Sequence, residues 1–273
     1  MCNKLHAIDN IIIVMQELLD CMVHQYEERY VAFIDILGFS SLVNRAEADP
    51  NLLERLASVL EEQEMYSVLG TSMDASGARD PQGFFRNMFR MSTFSDSIAI
   101  STKINPIGLG LITMLIAIIC NRLLHQGIFT RGAISKGKLI HTNAIILGAG
   151  LIRAHELERS AAIYPRILID ESIRKDMDVV AQGANPDLRR QDFDGLWHLH
   201  ILHPAILELN SHTSRSEYRV LNNHDYMAPG QHEIENALRL ADDPAIKAKI
   251  GWLARYFNEY AVSFGLREIE IVE

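Results

Sequence analysis

Cysteine is scarce in this sequence: Cys2, Cys21 and Cys120 are the whole complement of 273 residues, and no two of them form a Cys-x-x-Cys pair. Neither a disulfide framework nor a zinc cluster is expected, and a reducing cytoplasm fits best. A basic tract is also missing, since the formal net charge is -9 and the pI is ≈ 5.7. Without cations spread over a surface to neutralise phosphates, nucleic acid is not an expected partner. A small anionic substrate needs only local positive charge and metal. Long apolar runs are lacking too. The longest, residues 107–120 (IGLGLITMLIAIIC), has 14 residues and is followed by Asn121, Arg122 and His125. A bilayer span needs about 20 apolar residues, so a helix buried against a sheet is expected and a membrane partner is not. At the amino terminus, Asp9, Glu17 and Asp20 bracket the apolar residues 11–14, with no small-residue cleavage site after them, which does not read as a signal peptide. No internal repeat is visible.

What the sequence does contain is 48% hydrophobic and 22% charged residues, enough for one large domain with additions. One stretch organises it: Phe33-Ile34-Asp35-Ile36-Leu37-Gly38-Phe39-Ser40. The apolar residues 30–34 read as a strand covered on both faces, and an unpartnered Asp35 at its end would cost several kcal/mol. A metal cation is the simplest partner. The glycine turn then opens a helix with Ser40 or Ser41 as cap, and free N–H groups at such a start attract phosphate. A second stretch, residues 93–101 (TFSDSIAIS), reads as a β-hairpin with Asp96 at its tip. Alone, Asp96 is equally readable as a solvated turn residue. Beside Asp35 it would share divalent ions bridging a nucleotide phosphate.

In chain order, apolar residues spaced by three and four predict a helix over Ala7–Glu28. Further helices are expected over Ser40–Arg45 and Asn51–Tyr66, then a loop over Gly70–Gly83 and a strand over Phe84–Thr93 leading into the Asp96 hairpin. Pro106 starts the buried helix, which ends near His125. A strand over Ile128–Ile134, a hairpin over Gly137–Ile146 and a helix over Gly148–Ser160 follow. Next come a strand at Arg166–Ile169, a helix from Glu171, a polar surface excursion over Asn185–Asp194 and a half-exposed strand over Leu196–Leu202. A polar segment (Asn210–Gly230) and helices at His232–Ala241 and Pro244–Phe264 complete the chain. The expected architecture is α+β, with helices on one side of a largely antiparallel sheet.

The motifs FIDILGFS, FSDSIAIS, RGAISKGKL and LGAGLIRAHELE, in this order and spacing, resemble class III nucleotidyl cyclases over roughly residues 30–170. With Tyr164-Pro165-Arg166 following, the pattern is most similar to the pyrimidine cyclases of bacterial Pycsar antiphage systems. The resemblance implies a ferredoxin-type sandwich with a catalytic core over 30–170, an N-terminal helix over 1–29 and a C-terminal extension over 171–273. It implies Asp35 and Asp96 as ligands of two divalent ions, Mn²⁺ or Mg²⁺, with the Ile36 carbonyl as a further contact. Gly38, Phe39 and Ser40 would present backbone N–H groups to the phosphates, and Arg131 would hold the triphosphate. It also implies a head-to-tail homodimer with two shared sites, a cyclic pyrimidine product from UTP in preference to CTP, and a separate effector protein that the product activates.

The departures from the family pattern are specific. The helix Asn and Arg that orient ribose and neutralise the transition state are replaced by Ile152 and Glu156. Arg153, one residue past the Asn position, is the candidate replacement charge, or else a solvated helix residue. The two adenine-reading positions of adenylyl cyclases hold Ser92 and Ile145, which argues against adenine. Two alternatives stay open: a degenerate cyclase-fold module that binds nucleotide without turnover, and a purine cyclase with an unusual pocket. His198 and His200, on one face of the strand over Leu196–Leu202, and His203 just after it are not expected to form a metal site. Glu156, Glu158, Asp192 and Asp194 are expected as solvated charge.

Overall fold

A computed structural model describes residues 25–54, 56–58, 88–142, 144–181, 186–213 and 223–271. Strand β1 (Glu27–Ile36) is the axis of the sheet. It pairs antiparallel with β3 (Ser97–Lys103) on one side and with β4 (Thr130–His141) on the other. Strand β2 (Phe89–Phe94) forms a hairpin with β3, giving the order β2-β3-β1-β4. The chain skips one strand between β1 and β2 and again between β3 and β4, so two β-α-β units interlock. Beyond β4 lie β6 (Ile167–Ile169), parallel to it, and the antiparallel β8 (Trp197–Leu199) and β7 (Arg189–Gln191). A two-residue β5 (Ile146–Leu147) pairs with the end of β4.

Side-chain alternation along β1 supplies two layers. Tyr30, Ala32, Ile34 and Ile36 join Ile98 and Ile100 against helix α2 (Pro106–His125), whose Leu109, Ile112, Ile116 and Ile119 are fully buried. Pro106 sits where a helix start needs no N–H, and the Asn105 side chain accepts from Gly108 N at 2.7 Å. The helix has 20 residues and holds an 18-residue stretch with a mean hydropathy of 2.1, long and apolar enough to cross a bilayer, but 67% of that stretch is buried inside the protein. Its burial, and not the length of the apolar run, marks it as a core helix.

Helix α3 (Ala149–Ala161) covers the other face of the sheet, so helices lie on both sides and not on one as expected. It sits close because Gly150 meets Val31 and Gly137: a Cβ on Gly150 would lie 2.8 Å from the Val31 Cγ2. Ser135 Oγ donates to the Gly150 carbonyl at 2.7 Å and fixes the seat.

Several boundaries move. Of the helix expected over 7–28, residues 25–26 are not helical, Glu27 and Glu28 open β1, and residues 7–24 lie outside the described residues, as does the expected loop over 70–83. Of the helix expected over 51–66, residues 51–54 and 56–58 are helical and 59–66 lie outside. The strand and hairpin expected over 128–146 are one 12-residue strand, β4, closed by β5. Within the supposed surface excursion, Arg189–Gln191 is paired as β7.

Helix α4 (Glu171–Ala181) starts where expected. The polar segment after Asn210 instead holds the end of α5 (Pro204–Thr213) and the start of α6 (Asn223–Leu240). Helix α6 runs through Pro229 and Gly230 because Tyr226, Met227 and Ile234 are buried and Gly230 lies against the His125 ring. Tertiary packing outweighs the local penalty for proline and glycine. Helix α7 (Pro244–Ala261) ends in a 3₁₀ turn (Val262–Phe264). Asn121 of α2 keys these helices onto the core: its Oδ1 accepts from Tyr226 Oη at 2.7 Å and from Asn210 Nδ2 at 3.0 Å.

Candidate functional site

Asp35 is the next-to-last residue of β1, and the register sets it between Ser97 of β3 and Arg131 of β4. Opposed residues of antiparallel strands share a face, so Asp35 and Arg131 meet directly. Arg131 Nε donates to Asp35 Oδ2 at 3.1 Å. Asp96 occupies the β2–β3 turn, where Ser95 takes a φ of 53°. The Asp96 carbonyl accepts from Ile36 N at 2.9 Å, tying the turn to the residue after Asp35. Both carboxylates therefore stand at the same end of the sheet. Burial pushes the Asp35 carboxyl above the usual range, Arg131 pulls it back, and the charge of Asp96 adds to the upward push.

The glycine turn follows. Gly38 has φ 69°, and nothing would lie within 4 Å of a Cβ there, so its backbone conformation and not crowding calls for glycine. Helix α1 (Phe39–Ala46) begins one residue earlier than expected, with Gly38 and not Ser40 or Ser41 at the cap position and no capping side chain. Because glycine brings no oxygen to the first N–H groups, the start of the helix stays available to an anion, with Ser40 exposed beside it.

Glu158, expected to be solvated, is 3% exposed. Its Oε1 lies 2.7 Å from Arg131 Nη2, an ion-pair contact outside hydrogen-bond geometry. Arg131 thus bridges Asp35 and Glu158, and burial raises the Glu158 carboxyl despite that cation. The signal for Glu158 was present in the sequence: it falls four residues after Ala154 and eight after Gly150, on the stripe of α3 that meets the sheet. His155 packs edge-on against Phe33, with ring centroids 5.0 Å apart, near enough to Asp35 and Glu158 to act on their carboxyls.

Arg153 is not brought to this group. Its Nη2 donates to Asp170 Oδ1 at 2.9 Å and its Nε to Oδ2 at 3.3 Å. Burial works against the Asp170 anion, but the bonds from Arg153 and Ser172 hold its carboxyl below the usual range. Asp170 also accepts from Glu171 N, so Arg153 braces the start of α4. Ile152 and Glu156 are exposed on the outer side of α3, and Ile145, Leu147 and Phe94 are exposed as well. Ser92 lies on β2 opposite Ala99, on the Asp35 face.

Asp192 and Asp194, expected in solvent, clamp the buried Arg166, and Asp192 Oδ2 also accepts from Trp252 Nε1 at 2.9 Å. His198 and His200 are buried and not half-exposed, the latter with Nδ1 2.6 Å from Tyr256 Oη. They make a structural cluster.

Among the described residues no group of three or more His, Cys, Asp or Glu side chains converges as a metal site. Asp35 and Asp96 offer two carboxylates, which fits a cation completed by substrate phosphates and water and not one caged by protein alone. A cavity of about 690 Å³ opens beyond the glycine turn, walled in part by Leu42, Arg45, Phe129, Leu240 and Lys249. Asp35, Asp96 and Arg131 do not line it. No protein-family model matches the chain, and no curated protein matches it either.

Proposed function

We propose that this protein is a class III-type nucleotidyl cyclase that converts a pyrimidine nucleoside triphosphate, UTP in preference to CTP, to its 3′,5′-cyclic monophosphate and pyrophosphate. The observation that carries the reading is the convergence of Asp35, Asp96 and Arg131 beside an uncapped helix start. The interlocked β-α-β order and the motif resemblance support it.

Asp35 and Asp96, with the Ile36 carbonyl, would hold divalent ions, Mn²⁺ or Mg²⁺. Bound there, the ions would acidify the ribose 3′-hydroxyl and neutralise the triphosphate. Arg131, tethered to Glu158, has donors to turn from Asp35 to the phosphates. The N–H groups of Gly38, Phe39 and Ser40 would orient the chain of phosphates for in-line displacement. The apolar side chains exposed at Phe94, Ile145, Leu147 and Ile152 support a head-to-tail homodimer that completes two sites. In a cytoplasmic antiphage setting the cyclic product would act as a second messenger on a separate effector.

Exposure of Ile152 and Glu156, where the family has its helix Asn and Arg, favours a second reading, a module that binds nucleotide without turnover. Incubating the protein separately with ATP, GTP, CTP and UTP plus Mn²⁺, with products identified by mass spectrometry, separates the two. A cyclic pyrimidine monophosphate supports the enzyme; a cyclic purine replaces it with a purine cyclase; nucleotide bound without product supports the module.

A further inference from the structure

The cavity of about 690 Å³ beyond the glycine turn is framed by α1, the turn after α2, Phe129 and the corner between α6 and α7. Its volume falls in the range of about 300–1,000 Å³ usual for sites that hold small organic ligands. One stripe of α1, made of Ser41, Leu42 and Arg45 and continued by Gly38, lines it, and residues 241–243 of the C-terminal extension line it too. We infer that this cavity is a regulatory site for an aliphatic anion, a carbon chain with a carboxylate head, and that the ligand steadies α1 and so tightens triphosphate binding at the start of that helix.

The walls specify the tail. Leu42, Leu52 and Ile250 make them aliphatic. Leu240 and Ile246 also line the cavity yet stay 65% and 51% exposed, apolar surface that a bound chain would take out of water. Phe129 is the one aromatic residue among those that line it, so no pair of rings stands ready to sandwich a nucleobase, and an aliphatic body fits better.

The head follows from charge. Arg45 and Lys249 line the cavity and make no ion pair among the described residues, whereas Arg239 donates to Asn236 Oδ1 at 2.9 Å. Three carboxylates lie around the cavity as well. Asp243 caps α7, accepting from Ala245 N at 2.7 Å, Glu233 lies against Gly127, and Asp242 is exposed. Two cations without a partner against one solvated carboxylate favour an anion.

The stripe accounts for the coupling. Helix α1 has eight residues, of which Ala46 alone is fully buried. Isolated helices shorter than about 12 residues are marginal in water, so α1 depends on what packs against it. A ligand lying on Leu42 and Arg45 adds packing along the stripe, and the start of the same helix carries the N–H groups proposed to receive the triphosphate. Occupancy of the cavity and occupancy of the helix start therefore favour each other. Binding in the cavity stands on its own residues; the coupling rests on the cyclase reading and deepens it.

The test uses the full chain and two probes with the same tail, decanoate and decyltrimethylammonium, below the concentrations at which they form micelles. In calorimetric titrations decanoate is expected to bind once per chain, about tenfold more tightly than the cationic probe, and the surface double variant Arg45→Gln, Lys249→Gln to lose about tenfold in decanoate affinity. Ala237→Phe, which fills the cavity from α6, is expected to abolish binding. No binding of decanoate, equal binding of both probes, or unchanged affinity in the double variant overturns the site and leaves the cyclase reading standing. Hydrogen exchange followed by mass spectrometry is expected to slow over residues 42–46 with decanoate bound; unchanged exchange there overturns the hold on α1. With Mn²⁺ and 3′-deoxy-UTP, which lacks the hydroxyl needed for cyclisation, decanoate is expected to tighten nucleotide binding about fivefold. Slowed exchange with unchanged nucleotide affinity overturns the coupling. Failure of the nucleotide to bind with or without decanoate overturns the cyclase reading and the coupling with it, while the anion site keeps its own support.

Discussion

Four buried histidines should make this protein unusually sensitive to mild acid. Burial lowers His125 and His198 to about 4, and His141 and His200 to about 3, against about 6.5 when unfolded. With folded values below unfolded ones, the stability they contribute is present above about pH 6.5. It is lost as pH falls through 6.5 toward 4, because only the unfolded chain takes up the protons. Each histidine costs about 1.4 kcal/mol per pH unit once well below 6.5, or about 2 kcal/mol between pH 7 and 5. Four together approach about 7 kcal/mol, comparable with the whole stability of a typical domain. Asp35 and Glu158, whose carboxyls are raised, work the other way and soften the loss at its lower end. Urea unfolding followed by circular dichroism from pH 7.5 to 5 measures the slope. Expected is uptake of three to four protons on unfolding near pH 5; a slope below about 1.4 kcal/mol per pH unit, less than one proton, would refute the assignment of these rings as neutral and buried.

Asp35→Ala and Asp96→Ala should each abolish turnover, more than about a thousandfold, with an unchanged melting temperature, since neither removal strands a buried cation: Arg131 keeps Glu158. Activity in either variant would break the metal assignment. In Glu158→Gln, Arg131 loses one of its two carboxylates and leans wholly on Asp35, so Mn²⁺ affinity read by EPR titration should fall roughly tenfold, about 1.4 kcal/mol. Arg153→Ala should lower stability by about 1 kcal/mol, because its half-exposed ion pair braces Asp170, and leave turnover nearly intact. Lost turnover at unchanged stability would return Arg153 to the chemistry. Leu147→Glu should turn a dimer into a monomer in sedimentation velocity and remove activity with it.

The parts of this architecture legible in the sequence are those written in local pattern. The apolar run that ends on Asp35, the proline start of α2 and the turn at Asp96 each place an element to within a few residues. What escaped depends on contacts distant in sequence. Glu158 looks like a solvated helix charge until Arg131 arrives across the sheet, and Asp192 and Asp194 look like a polar loop until Arg166 is buried between them. The same holds for α6, where Pro229 marks a break that burial of Met227 and Ile234 overrides. The same is true of two buried polar contacts on the sheet, Arg29 Nε to Ser101 Oγ and Ser101 Oγ to His141 Nδ1, between residues 72 and 40 positions apart, which no local spacing announces.

The bond between the Ile36 amide and the Asp96 carbonyl has a consequence for how activity is lost. Side chains alternate along β1, so a slip of one residue against β3 would carry Asp35 into the apolar layer under α2 and put Ile34 or Ile36 on the face where Asp35 had met Arg131. No half-shifted sheet keeps a weakened pair of carboxylates; the pairing that closes the core is the pairing that assembles the site. Variants that loosen the sheet should therefore lose activity in proportion to the fraction of molecules unfolded, with unchanged substrate affinity in those that remain.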